Sequence, residues 1–257
     1  NLPRRSPKSR NSVTTTSASV TSVSGSTTGR VAHSYTAGLE LGNEGMTNVP
    51  YVVQTAFAGN AVTAFAASCS APGAVAASRF NCTTLANPDP YDPWVGTITA
   101  STTPTRVTTD TRAVYGFDTL NFNTRWSLNL GVRWDDYDTT QKGFASGVPE
   151  LLRNRADFWN YQVGLVFKPT PAGSVYLSTG TSSSPSGNTL GDGTENLAAT
   201  NQDLAPERNR TYELGAKWSL ARRLLLTTAI FRTETANARA STAGGLQATI
   251  GDELVRG

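Results

Sequence analysis

Residues 124–137 read RWSLNLGVRWDDYD, and the character of the side chains changes at nearly every step. Trp126, Leu128, Leu130, Val132 and Trp134 fall on one side, with Ser127, Asn129, Gly131, Arg133 and Asp135 on the other. A period of two is that of a β-strand with one apolar and one polar face. The same alternation returns in 33–41, where Tyr35, Ala37, Leu39 and Leu41 oppose Ser34, Thr36, Gly38 and Glu40. It returns in 112–118, where Ala113, Tyr115 and Phe117 oppose Arg112, Gly116 and Asp118. Val163, Leu165 and Phe167 oppose Gln162 and Gly164, and Tyr212, Leu214, Ala216 and Trp218 oppose Glu213, Gly215 and Lys217. The run RLLLTTAIFRTET (223–235) has strand composition, but Ile230 and Phe231 compete for the apolar face and leave its phase open. Residues 12–22 alternate poorly and form the weakest strand of the set.

The composition fits this reading. Of 257 residues, 38% are hydrophobic and only 16% charged, the remainder being rich in Gly, Ser, Thr and Asn. That balance favours β-structure over a helical enzyme, which would carry more Glu, Lys and Leu. No run of about 18 apolar residues exists, so no transmembrane helix is expected, and a strand-built membrane protein needs none. The N-terminus shows no apolar signal-peptide core. The net charge of +3 does not point to nucleic acid. Its one basic cluster, Arg4, Arg5, Lys8 and Arg10, lies in a Ser/Pro-rich stretch and reads as a solvated tail.

Connections decide between a water-soluble sandwich and a membrane barrel. STTG (26–29), NFNT (121–124), KPTPAG (168–173) and SLAR (219–222) are short. Between them lie long polar stretches at 44–105, 138–156, 184–206 and 237–248. Strict alternation of short and long links places every long loop at one end of the strands, as in outer-membrane barrels with short periplasmic turns and long extracellular loops. Strands of about ten residues, rising roughly 3.4 Å per residue and tilted about 45°, span about 24 Å, close to the apolar band of such a barrel. Aromatics near the strand ends suit its interfacial girdles. The expected fold is therefore all-β, an antiparallel meander of about nine strands forming part of a transmembrane β-barrel. Lipid meets the apolar faces, and Arg112, Asp118, Arg133, Asp135, Glu213 and Lys217 line the lumen.

Little of the sequence offers reactive chemistry. His33 is the single histidine, beside a turn, and reads as a surface or interface residue rather than half of a Ser–His pair. Cys69 and Cys82 lack histidine neighbours for a zinc site. They read as a disulfide closing a loop in an oxidising compartment, worth about 3 kcal/mol in the chain-entropy picture, or as two unpaired thiols. The carboxylates and amides of GDGTENLAATNQD (191–203) lack EF-hand spacing and read as a solvated loop, so no metal site is expected.

LAPERNRTYELGAKW (204–218) resembles the signature of TonB-dependent outer-membrane receptors, in which a loop ending in L-x-P-E enters a strand reading Y-E-x-G-x-K-W. LNLGVRWDDYDT (128–139), YQVGLVFKPTPAGSVYLSTGTSSSPS (161–186), LLLTTAIFRTETANAR (224–239) and GDELVRG (251–257) lie around it in matching order and spacing. Together they are similar to receptors for ferric catecholate-type siderophores, over about 105–257. The resemblance implies an outer-membrane barrel domain over 1–257, with 44–105 as a long extracellular loop. It implies TonB-dependent uptake of a ferric siderophore, with iron as cargo, no cofactor and no catalytic group. TonB would act through a plug domain not recognisable in this sequence. About nine strands against the family's 22 imply a partial barrel, completed by strands outside the sequence or belonging to a non-functional piece of a receptor gene. A passive porin, an outer-membrane hydrolase and a soluble sandwich adhesin are the competing readings. An anionic aromatic ligand calls for cations beside aromatic rings. Tyr91 and Trp94 in the long loop qualify, as do Arg153 and Arg155 beside Trp159.

Overall fold

The computed structural model describes residues 2–3, 9–55, 82–83, 96–187, 197–199, 201–221, 224–241 and 247–257. Among them there is no helix, and the principal elements are long antiparallel strands. They are β2 (Ser9–Thr28), β3 (Val31–Thr55), β6 (Thr105–Asn121), β7 (Trp126–Ala145), β8 (Val148–Thr170), β9 (Gly173–Ser184), β10 (Glu207–Ala221), β11 (Leu224–Ser241) and β12 (Gln247–Arg256). Short β1 (Leu2–Pro3), β4 (Cys82–Thr83) and β5 (Gly96–Ala100) complete the set. The ten-stranded sheet runs in the order β12-β11-β10-β9-β8-β7-β6-β3-β2, with β5 paired to β3. Each long strand therefore pairs with its nearest long neighbours in sequence, the meander topology of an up-and-down barrel wall.

Two compact units divide the chain. The larger comprises Val13–Gly45, Val107–Lys142 and Leu151–Gly257. Register there is regular: Leu214 faces Leu177 on β9 and Ile230 on β11, and Leu177 faces Leu165 on β8. Residues directly opposite in register point to the same side of the sheet, so these form one apolar row. That row has no protein layer over it. Leu165 is 37% exposed, Leu177 56%, Leu214 45% and Ile230 64%. Each such side chain left in water forgoes about 1.5–3 kcal/mol of burial, and hydrocarbon supplies that burial in a membrane. The register also fixes the phase of β11. Ile230 joins the apolar row, while Phe231 lies opposite Glu213 on the polar side.

The short turns are closed locally. Asn123 accepts the backbone N–H groups of Arg125 (2.8 Å) and Trp126 (3.0 Å) through Oδ1. This arrangement is an Asx-type cap on the β6–β7 hairpin. Trp126 stacks on Phe167 at 4.4 Å between centroids, and Trp218 lies over Gly173, its register partner. These contacts put large aromatics beside the short turns, as an interfacial girdle requires.

The smaller unit comprises Asn1–Ser12, Met46–Arg106 and Gly143–Glu150. Within it β3 continues past residue 44 and pairs Tyr51–Thr55 with Gly96–Ala100. The stretch expected as a single loop over 44–105 thus begins and ends as strand. Likewise 138–156 is not an open loop: β7 and β8 meet at Ser146 (φ 49°) and Gly147 (φ 83°). Positive φ at two successive residues makes the primed hairpin turn that suits strand twist. Both extensions were hidden because ladder hydrogen bonds, with no apolar face to mark them, carry these strands.

Candidate functional site

The polar side of the larger unit carries the densest chemistry, and its centre is Arg133. The Arg133 guanidinium donates to Asp135 Oδ1 through Nε (2.8 Å) and to Glu40 Oε2 through a terminal nitrogen (3.0 Å). Its charge sits 5.5 Å from the Tyr115 ring, whose hydroxyl lies 2.7 Å from that of Thr21. The Asp135 side chain is only 4% exposed, so the ion pair is the condition for its burial. Further along the wall, Tyr176 donates a hydrogen bond to Glu213, and the Lys217 ammonium lies 5.7 Å from the Tyr176 ring. Arg133, Asp135, Glu213 and Lys217, all expected in the lumen, share this face.

Arg112 and Asp118 do not, which corrects their expected place. On β6 the even-numbered residues point away from Arg133: Asp110 accepts from Asn43 (2.7 Å) and Asp118 bonds His33 Nδ1 (2.7 Å) on the apolar side. The reason is steric. Tyr115 lies over Gly38, and Phe117 lies over Gly131, where a Cβ would collide with the ring. The glycines of neighbouring strands open space for these rings on the lumen side, so β6 turns its bulk inward and its acid outward.

The segment from Leu197 folds onto the same polar face. Gln141 donates from Nε2 to the Leu197 carbonyl (2.8 Å), and Asn154 donates from Nδ2 to the Gln202 carbonyl (2.6 Å). Asn201 caps the turn by accepting the Ala198 N–H at 2.7 Å. The Leu-Ala-Pro-Glu stretch 204–207 is then read by β11. Asn237, at φ 56°, donates to the Pro206 carbonyl (3.0 Å). Arg239 donates to the carbonyls of Ser184 (3.1 Å), Pro185 (3.3 Å) and Ala205 (3.0 Å), and its own N–H bonds Glu207 Oε2 at 3.3 Å. One guanidinium thereby ties both ends of the β9–β10 connection to β11. The register shift between Thr235 and Ala238 aims it there. In the sequence Arg239 carries no signal beyond its place four residues after Thr235, at the end of the run 224–239.

Arg153, Arg155 and Trp159 sit on the outward side of β8, alternating with buried Leu152, Asn154, Ala156 and Phe158. Arg153 makes a two-toothed pair with Asp138, and Arg155 lies 3.9 Å from the same carboxylate. The hydrogen bond from Arg153, together with both positive charges, holds the Asp138 carboxyl below its usual range. Tyr91, Trp94 and Cys69 lie outside the described residues, and with Cys69 the Cys69–Cys82 pairing. Among the described residues no cluster of three or more His, Cys, Asp or Glu could hold a metal ion.

A meander with an uncovered apolar face, a charged inner face and an inward-folded connection defines a transmembrane β-barrel wall of the bacterial outer membrane. Residues 6–257 match the family described as "TonB dependent receptor-like, beta-barrel", and the chain belongs to that family. It is 42% identical over 182 residues to the "Probable TonB-dependent receptor BfrD" of Bordetella pertussis, covering 68% of this chain and 24% of that protein. It is 34% identical over 235 residues to the "Probable TonB-dependent siderophore receptor PiuA" of Acinetobacter baumannii, covering 90% of this chain and 31% of PiuA. The crystal structure of PiuA superposes with a TM-score of 0.84 at 32% identity, over 96% of this chain and 35% of that one. The ferric-catecholate import receptor Fiu of Escherichia coli K12, in its closed form, gives 0.67 at 26% identity over 96% of this chain and 34% of Fiu. The chain thus spans about a quarter to a third of the length of the relatives it matches.

Proposed function

We propose that the chain forms part of the barrel of a receptor for TonB-dependent uptake of a ferric siderophore. The observation carrying this reading is the likeness to the siderophore receptor PiuA, at a TM-score of 0.84 over 96% of the chain. The inner wall is compatible with it. Charged side chains are neutralised in pairs along a wet surface, leaving hydrogen-bonding groups for an anionic solute to pass. The family is one of receptors, and on this reading no bond is made or broken, so the wall needs no nucleophile or general base. Tyr91 and Trp94 are the proposed ligand contacts, and a plug domain is the proposed link to TonB. Arg153, Arg155 and Trp159 face away from the lumen and are not assigned to the ligand.

The test is uptake of radioactive iron presented as a ferric catecholate, in an outer-membrane receptor-deficient strain expressing the closed barrel that contains these strands. Uptake that disappears when TonB is deleted is the expected result. Passage of iron-free solutes of similar size without TonB would instead make the barrel a passive pore and overturn the reading.

A further inference from the structure

The ladder between β9 and β10 ends at the pair Ser184 and Glu207, and a long connection leaves the wall there. Holding such a connection in one place costs conformational entropy, so something must fix its two ends. Arg239 stands where the ladder stops. One terminal nitrogen of its guanidinium donates to the Ser184 and Ala205 carbonyls, one on each side of the connection, and the other donates to Pro185. Its backbone N–H goes to Glu207, and Asn237 two residues earlier holds the Pro206 carbonyl. Among the described residues Arg239 forms no ion pair with a carboxylate, so its planar fork serves backbone oxygens.

The limb that folds inward from this root is held less firmly. Gln141 and Asn154 give N–H groups to the carbonyls of Leu197 and Gln202, but the buried oxygens of the same two amides meet no donor among the described residues. A buried acceptor without a donor offsets much of the bond made at the other end of its amide. Leu197 is buried, yet it packs over Gly187 at the start of the same connection, where a Cβ would meet it at 2.7 Å. That contact closes the connection on itself and does little to fasten it to the wall. The inward placement of Leu197 and Gln202 therefore depends on the root, and the root on one guanidinium.

We propose that Arg239 is a positioning residue for solute capture. By bracing both ends of the β9–β10 connection it holds the inward limb in the place that the ferric siderophore meets, and so sets affinity rather than assembly or passage. The inference rests on the siderophore reading given above. A surface already ordered in its bound shape binds more tightly, because binding need not supply the ordering. A connection freed at its root would have to be ordered by the solute itself, and only the fraction of molecules with the limb in place would bind at full strength.

The test measures uptake of radioactive iron, presented as its dihydroxybenzoate complex, by cells expressing the complete receptor that contains these strands. Backbone amide exchange is followed on the same receptor after purification. R239Q is expected to raise the half-saturating concentration about tenfold or more, the range for losing a hydrogen bond from a charged group, and to leave the maximal rate close to wild type. Exchange should quicken over 201–207 and stay as in wild type over 210–218, where β10 is paired with β9. Heat-dependent gel mobility shows whether the variant has folded. Asn237→Gly is the second variant, because glycine keeps the positive φ (56°) and removes only the bond to Pro206. It should move half-saturation the same way by a smaller factor, and it decides the matter if R239Q does not fold. Unchanged half-saturation in a folded R239Q, or a fall in maximal rate alone, overturns the proposal. Wild-type cells that take up none of the iron complex would strike the siderophore reading instead. The brace is then judged on exchange: a quickening over 201–207 in R239Q upholds it, and unchanged exchange there overturns it.

Discussion

Arg133 shows how a single side chain sets the terms for its neighbours. Its guanidinium reaches Asp135, Glu40 and the face of Tyr115 together, and it supplies the positive charge at their centre. Removing one partner of a largely buried pair costs more than removing both, because the survivor keeps its desolvation penalty without its counter-charge. Arg133→Met should therefore destabilise the folded barrel by about 2–3 kcal/mol. Adding Asp135→Leu to that variant should recover a large part of the loss. Urea-dependent loss of tryptophan fluorescence in a closed barrel measures both. A single variant as stable as wild type would show that the Asp135 carboxylate finds water in the lumen and needs no guanidinium.

At the scale of the element, the glycines of the wall distinguish two roles. Gly131 lies under Phe117 and beside Gln162, so a side chain there must push a ring out of the lumen layer. Gly116, on the outward face of the adjacent strand, would bring its Cβ against nothing within 4 Å. Gly131→Val should cost about 1–3 kcal/mol, as overpacked interiors do, while Gly116→Ala should stay within about 0.5 kcal/mol of wild type. Thermal loss of the folded band on a gel would separate them, and equal losses would contradict the assigned faces. The same pair explains what the sequence could and could not reveal. β7 was legible because its large residues point to lipid and its small ones to the lumen, so size and polarity agree. On β6 they disagree: Tyr115 and Phe117 point inward, and alternation alone assigns them to the wrong side. For β11 the answer lay in register, since only the pairing of Ile230 with Leu214 separates it from Phe231. Facing-strand information is absent from a single strand's periodicity. For that reason alternation by itself does not order Arg112 and Asp118 on β6 against Arg133 and Asp135 on β7.

For the whole molecule, the alternation of short and long links was legible because turn chemistry is local and loop length is a count. The extent of the strands was not, because beyond the apolar band ladder hydrogen bonds continue without a hydrophobic pattern to mark them, as in Tyr51–Thr55 with Gly96–Ala100. The sheet formed by the described residues runs from β12 to β2, and the pairing order does not return from one end to the other. In this chain alone, the outer edge of each terminal strand therefore lacks the second row of backbone partners that β8, β9 and β10 have on both sides. Unpaired backbone groups in hydrocarbon cost several kcal/mol each, so such edges must open, recruit water or pair with further strands. Amide hydrogen exchange on the chain by itself in detergent micelles should then be slowest in β8–β10 and fast in β2 and β12. In a closed barrel the contrast should flatten, as the end strands gain partners and their exchange slows by orders of magnitude. Uniformly slow exchange in the isolated chain, with a heat-sensitive compact band on a gel, would mean that copies of the chain close the sheet on one another.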